Sequence, residues 1–140
     1  MGDQPVPHLL WEPLRDFFNV LIQEILTCNG RLWSTIAHHE TQVFPFTGYL
    51  ALSKNGIPGE EDLVLTLGVQ RKGDRLFVRA DIARGDGFIL ADGPAAEIAG
   101  SPLDVAALLE ARDRALQFFS ERQEVVIREV CEGGHTDTPV

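Results

Sequence analysis

The stretch from Leu63 to Ala91 constrains the fold most, because large apolar residues recur in it at every second position on both sides of a glycine-containing turn. That period is typical of a strand with one buried face. A turn at Lys72-Gly73 places Val69 opposite Leu76. A turn at Gly73-Asp74, a type II′ candidate, shifts the pairing by two residues and keeps the same side chains on the same faces. Both registers predict an antiparallel hairpin.

Further strands flank this hairpin. A second turn, Arg84–Gly87, leads into the apolar run Phe88–Ala91, which completes a three-stranded meander. Upstream, residues 46–52 alternate well, and Leu32–Val43 alternates poorly but is rich in β-branched and aromatic residues. The sequence therefore predicts an antiparallel sheet of about five strands.

Two stretches have a helical period instead. Apolar residues recur every three or four positions from Leu10 to Ile25, which predicts a helix over about Pro13–Cys28, with the proline in the first turn. Ser101 as N-cap and Pro102 as the first helical residue predict a second helix that ends at about Arg122. Residues 123–130 fit either an extension of that helix or a last edge strand.

These elements predict an α+β fold with an N-terminal helix, an antiparallel sheet of about five strands and a C-terminal helix. Residues 1–130 are expected to form a single α+β domain, and residues 131–140, which are rich in glycine and small polar side chains, a flexible tail. Cys28 and Cys131 lie far apart without a spacing motif. We expect a small packed thiol at the first and a more exposed tail thiol at the second, in a reducing cytoplasm.

Charge narrows the classes of partner. A formal net charge of −9 argues against binding to the phosphate backbone of a nucleic acid and suits solubility and basic protein partners. No apolar run approaches the roughly 20 residues that span a bilayer, and Met1–Pro5 lacks the basic segment of a secretory signal. We expect a cytoplasmic protein with neither a nucleic-acid nor a membrane partner.

The only cluster of ligand-type residues is His38-His39-Glu40. On a strand, His38 and Glu40 share one face and His39 leaves by the other, whereas a catalytic zinc needs three protein ligands. We therefore expect no metal, no cofactor and no catalytic residue. The rival hypothesis is a small enzyme or ligand-binding protein with a site around His38, Glu40 and Tyr49 in a cleft at the sheet edge.

The second face of the meander is the predicted partner-binding surface. Its candidate residues are Arg75, Phe77, Arg79, Phe88 and Leu90. Aromatic and aliphatic side chains flanked by arginines have the composition of an interface centre. If both helices dock on the Leu/Val face, this patch stays uncovered and meets a partner protein or a second copy of the chain. The alternative is that a helix of the same chain covers the aromatic residues and leaves the arginines solvated.

The order helix, strands, helix in a small acidic chain resembles the type III secretion chaperones and related small bacterial α+β proteins. The resemblance covers most of the chain and rests on architecture and charge, without a motif. It implies non-catalytic binding of a partner polypeptide by a homodimer. Small acidic immunity-type inhibitors of basic toxins share these gross features, so the predicted protein-binding module is either chaperone-like or immunity-like.

Overall fold

The structure, a computed structural model, describes residues 5–136, with side chains over residues 6–132. Its elements in chain order are α1 (Pro5–Leu26), β1 (Trp33–His39), β2 (Phe46–Ser53), β3 (Leu63–Lys72), β4 (Arg75–Arg84), β5 (Ile89–Ala99), α2 (Val105–Glu121) and α3 (Gln123–Thr136). The predicted α+β class is confirmed, with an N-terminal helix and five antiparallel strands. The C-terminal part is two helices rather than one.

The strands form a single meander in the order β1-β2-β3-β4-β5, so that every strand pairs with its neighbour in sequence. In the β3–β4 hairpin Val69 pairs with Val78, which places Gly73-Asp74 in the turn. Gly73 has a φ of 63° and Asp74 has no positive φ, the combination that a type II′ turn requires. The second of the two predicted registers is therefore the one adopted, because glycine tolerates this conformation without strain.

All three helices pack on one face of the sheet. Alternate residues of β3 and β4 are buried, as the alternation predicts. They join the apolar stripes of α1 and α2 in one core, whose largest fully buried side chains include Phe18, Phe46, Phe119, Leu14, Leu65 and Leu76. Helix α1 contacts β1 and β2, α2 contacts β4 and β5, and α3 contacts the other two helices. No helix among the described residues is long and apolar enough to cross a bilayer.

Helix α1 begins at Pro5, eight residues before the predicted start, and carries Pro13 in its interior. Proline lacks the N–H that would reach the carbonyl of the residue four positions earlier, Leu9. That carbonyl oxygen accepts a hydrogen bond from the guanidinium of Arg112 in α2, at 3.3 Å. The buried stripe also extends upstream to Val6. The tertiary contacts thus keep the turns before the proline helical.

The beginning of α2 also differs from the prediction. Its N-cap is Asp104, whose carboxylate accepts from the backbone N–H of Ala107 at 3.0 Å, and the Ser101-Pro102 peptide, which is cis, precedes the helix. An N-cap must have its side-chain oxygen beside the first free N–H groups of the helix, and Asp104 meets that condition. The predicted N-cap at Ser101 is therefore wrong by three residues.

The ambiguous stretch 123–130 belongs to helix α3 and not to an edge strand. Val126 and Val130, four residues apart, are both buried, as on the inner face of a helix. Helix α3 continues to Thr136, so the predicted domain boundary after residue 130 falls inside it, and residues 137–140 lie outside the described part. The predicted tail therefore begins within a helix of the domain.

The two cysteines, 103 residues apart in sequence, are joined in a disulfide, with their Cα atoms 5.6 Å apart. Cys131 is only 8% exposed, which corrects the prediction of an exposed tail thiol and a separate packed thiol. The neighbouring Asn29 is buried and its side-chain amide donates to the carbonyls of Lys54 and Val130. Because α3 folds back onto the end of α1, residues that are distant in the chain become neighbours.

Candidate binding face

Among residues 5–136, no helix covers the face of the sheet opposite α1, α2 and α3. We call it the open face, and its outward residues on β2, β3 and β4 are Thr47, Tyr49, Ala51, Val64, Thr66, Gly68, Gln70, Arg75, Phe77, Arg79, Asp81 and Ala83. They alternate along each strand with the buried residues of the core. The condition for the predicted surface, that the helices dock on the Leu/Val face, is therefore met.

A groove of about 590 Å³ lies on the open face, and Gly68 of the central strand β3 is among its lining residues. In the sheet register Gly68 is flanked by Thr47 on β2 and Arg79 on β4. A Cβ built at Gly68 would meet no atom within 4 Å. The groove therefore exists in part because the central strand lacks a side chain there. Its two aromatic lining residues are Phe44, in the β1–β2 connection, and Phe77.

The arginines beside the groove are paired with acids of β5. Nε of Arg75 lies 3.0 Å from a carboxylate oxygen of Glu97, and a terminal nitrogen of Arg79 lies 2.6 Å from a carboxylate oxygen of Asp92. The Lys72 ammonium stands 5.2 Å from the centre of the Phe77 ring, in cation–π range. The charges of the two predicted arginines are thus each matched by a carboxylate of β5.

Asp81 lines the groove and is the carboxylate among the outward residues of β2, β3 and β4. Its side chain is 21% exposed. Burial raises the pKa of Asp81 above its ordinary value, the neighbouring Arg79 opposes that rise, and the negative charge of Asp92 adds to it. The Asp81 carboxylate is thus poorly exposed to water, and its nearest cation, Arg79, lies 4.0 Å away. A cationic group placed in the groove would stabilise its charge.

The structure divides the five predicted binding residues among three places. Arg75, Phe77 and Arg79 lie together on the open face, as predicted. Phe88 lies in the β4–β5 turn, 60% exposed, with the Arg84 guanidinium 5.0 Å from its ring centre.

Leu90 lies on the side of the helices, where it lines a second recess of about 360 Å³ together with Val125 and Val126 of α3. In the sheet, Ile82 pairs with Ala91 but the next residue, Ala83, pairs with Ile89. This register shift leaves Leu90 as an extra residue in β5, so simple alternation places it on the wrong face. The prediction of Leu90 on the same face as Phe77 is corrected accordingly.

Of the three residues of the rival hypothesis, His38 and Glu40 lie together and Tyr49 lies apart from them. His38 lies on the helix side, its ring centre 4.6 Å from that of Trp11, and its Nδ1 lies 3.4 Å from a carboxylate oxygen of Glu40. Tyr49 pairs with Ala37, the neighbour of His38, and therefore points to the opposite face, where its ring lies 5.7 Å from that of His39. Within the described residues no group of three or more His, Cys, Asp or Glu could hold a metal ion, and the expected lack of a metal stays a prediction.

Sequence reasoning missed the two residues that give the groove its shape. Gly68 interrupts an otherwise bulky strand, and a glycine inside a strand often marks a gap or a close approach. That signal was available in the sequence. Phe44 lies beside Pro45 in a connection without a regular period, so no local pattern assigned it to a face. Its place beside the groove depends on a backbone contact, in which the Val43 carbonyl accepts from the Arg71 N–H at 2.7 Å.

Comparison with known proteins finds no match: no protein-family model, no curated protein and no solved structure matches the chain. The geometry of the open face is therefore what bears on function.

Proposed function

We propose that this chain is a non-catalytic protein-binding module, chaperone-like or immunity-like, whose open face receives a partner polypeptide. The observation that supports this most is a groove lined by aromatic residues on a sheet face that no helix covers. The solvated face of an antiparallel sheet ordinarily carries polar side chains. A recess with aromatic walls inside a polar rim has instead the composition of an interface centre.

The groove also suggests the chemistry of the side chain it receives. The rings of Phe44 and Phe77 suit an apolar stem, and the half-buried carboxylate of Asp81 suits a cationic end. A lysine or arginine of the partner combines the two. This fits the net charge of −9, which favours basic protein partners and raises their rate of association.

A catalytic role would need reactive groups brought together, and the hypothesised set is divided, since His38 and Tyr49 lie on opposite faces of the sheet. We therefore prefer binding to catalysis. The cytoplasmic location and the homodimeric state that the sequence predicts belong to the same proposal. The cysteines no longer support the location, because Cys28 and Cys131 are joined in a disulfide.

The test uses the affinity-tagged chain as bait in lysate of the source cell, with bound proteins identified by mass spectrometry. Gly68→Arg places a long side chain in the groove at a position where the Cβ itself meets nothing within 4 Å. Gly30→Arg is the matched control, since a Cβ at Gly30 also meets nothing within 4 Å and the residue lies far from the groove in the α1–β1 connection.

We expect a protein that the wild type and Gly30→Arg both enrich and that Gly68→Arg does not. Thermal melts of the three baits check that they are equally folded. If all three baits enrich the same proteins to the same extent, the groove is not the binding site and the proposal is wrong.

A further inference from the structure

The free edge of strand β1 is a second unpartnered surface of the molecule. Strand β1 ends the sheet and pairs only with β2. In the part of the chain that the structure describes, the backbone hydrogen bonds outside the helices and ladders include none from residues 33–39. The outward N–H and C=O groups of β1 are therefore available to another strand.

The two edges of the sheet differ in how they resist such pairing. Strand β5, the other edge, contains Pro94, the charged Asp92 and Glu97, and two register shifts. These are devices that prevent edge-to-edge association. Strand β1 reads Trp-Ser-Thr-Ile-Ala-His-His, without proline, acid, lysine or arginine, and its register against β2 is continuous over all seven residues. Only β1 has the regular, uncharged edge that favours strand addition.

The sequence of β1 suits a second copy of itself. In an antiparallel pair, opposed residues must lie on the same face of the sheet. The register that pairs all seven residues and keeps the faces is centred on Ile36, so that Ile36 faces its own copy and Trp33 faces His39 of the other copy. Trp33 is 52% exposed and lies on the same face as His39, whose ring already stacks on Tyr49. Trp33 of one copy would extend that stack in the other.

Charge is compatible with this contact in spite of the net charge of −9. No carboxylate lies within β1, and Arg31 and Glu40 stand just outside its two ends. In the register centred on Ile36, position 31 of each copy is opposite Thr41 of the other, and Glu40 is opposite Leu32. The seam therefore places no like charges opposite each other, and the net charge of the chain does not oppose this pairing at the contact itself.

We propose that the chain forms a two-fold dimer through β1, in which two five-stranded sheets join into one of ten strands. The dimer is isologous and closed, because the β1 edge of each copy pairs with the β1 edge of the other and no free β1 edge remains. It provides an interface for the homodimer of the proposed function, and it leaves the middle of the open face, at Gly68, free for a partner.

Two double variants test the proposal and its register. Trp33→Glu with His39→Glu places two carboxylates opposite each other at both ends of the seam. Trp33→Lys with His39→Glu places opposite charges at the same positions. Both substituted positions, Trp33 and His39, are exposed in the single chain. They are about 20 Å apart along one strand, so the two new charges within one chain do not interact. Neither double variant should therefore disturb the fold.

Sedimentation velocity over a micromolar concentration series gives the mass of each. We expect a dimer for the wild type, self-association weaker by about tenfold or more for the Glu/Glu variant, and a dimer again for the Lys/Glu variant. A monomeric wild type, or two variants that behave alike, overturns the proposal. Should a variant unfold, amide hydrogen exchange of the wild type decides instead: exchange in β1 must slow as the concentration rises, and unchanged exchange overturns the proposal.

Gly68→Arg separates this dimer from partner binding. It blocks the groove and leaves the β1 seam intact, so we expect it to remain a dimer. Loss of both the partner and the dimer in this variant would mean that the copies meet through the open face, and would overturn the β1 dimer while leaving the groove as an interface.

Discussion

Thr66 and Leu67, which are adjacent in β3, have opposite surroundings. Leu67 is completely buried in the core beneath the helices, whereas Thr66 is half-buried and lines the groove of the open face. The two-residue period of a strand produces this contrast. A change of chemistry should therefore have different consequences at the two positions.

Leu67→Asp should prevent folding and Thr66→Asp should not. An unpaired carboxylate at Leu67 costs several kcal/mol, which is comparable with the whole stability of a small domain. At Thr66 the same carboxylate lies on the open face opposite Asp81, where two like charges cost on the order of 1 kcal/mol and do not prevent folding. We expect insoluble protein for the first variant and soluble, cooperatively unfolding protein for the second. Equal behaviour in solubility and denaturation assays would contradict the one-sided core.

Asp81→Asn should stabilise the protein near neutral pH. Burial raises the pKa of Asp81 above its ordinary value of 3.8, so the folded state holds this proton at a pH where the unfolded chain has lost it. The wild type therefore loses stability as the pH rises from 3.8 through the folded pKa, and the asparagine variant lacks that loss. Urea denaturation across this window should show an advantage of Asp81→Asn that disappears in acid. Parallel profiles would contradict it.

At the scale of elements, the helices are held to each other by a few specific contacts besides apolar packing. Arg112 connects α2 to the proline-containing turn of α1 through the Leu9 carbonyl. The Cys28–Cys131 disulfide and the buried Asn29 connect the end of α1 to α3. Each contact joins segments about 100 residues apart in sequence.

Arg112→Met should destabilise the packing of α1 on α2. It removes the donor to a carbonyl that Pro13 leaves without its helical partner, which should cost about 1–3 kcal/mol in free energy of unfolding. Arg114→Met is the matched control on the same helix: Arg114 is exposed and pairs with Glu110 at 2.6 Å, a contact worth at most about 0.5 kcal/mol. Denaturant titration compares the two, and equal losses would mean that the Leu9 contact contributes nothing.

Cys131→Ala should lower stability only where the wild type is oxidised. A disulfide that closes a loop of about 100 residues stabilises by about 2–5 kcal/mol, chiefly by restricting the unfolded chain. We expect oxidised wild type to be the most stable form, and reduced wild type and Cys131→Ala to lie close together. Denaturation with and without reductant measures this. A wild type that is indifferent to reductant would mean that the pair remains as two thiols.

At the scale of the whole molecule, one face of the sheet builds the core and the other remains available. The three described helices lie on one side of the sheet and leave the open face without a helix. Its groove is bounded by Phe77, which is half-buried, whereas Phe119 on the helix side is completely buried. The two phenylalanines therefore allow the proposed binding role of the open face to be tested separately from the stability of the core.

Phe77→Ala should weaken partner binding by about tenfold or more while unfolding stays cooperative and within about 1 kcal/mol of the wild type. Self-association through β1 should not change. Phe119→Ala is the comparison, with an expected loss of about 3–5 kcal/mol as a core residue. Thermal melts and binding of the captured partner give the two readouts. A loss of 3–5 kcal/mol in Phe77→Ala would mean that this face is internal.

The sequence by itself indicated the N-terminal helix, the antiparallel strands and the helix after Ser101, but not the third helix. Alternation in β3 and β4 and the stripe of α1 are periods of contiguous residues, so they can be read locally. The same alternation placed Arg75, Phe77 and Arg79 correctly on one face, because no irregularity interrupts β4 before Arg79. The acidic character of the chain, with its net charge of −9, can also be read directly from the sequence.

Only the tertiary structure decided the features that depend on distant residues. The helical turns before Pro13 rely on Arg112, the cysteine pair relies on the return of α3 to α1, and the bulge that turns Leu90 toward the helices relies on how β5 meets β4. The groove at Gly68 needs neighbours from two other strands to give it walls. Local periods specify which face of an element is apolar, but the partner of each face is set by contacts between segments far apart in the chain, and no local period contains them.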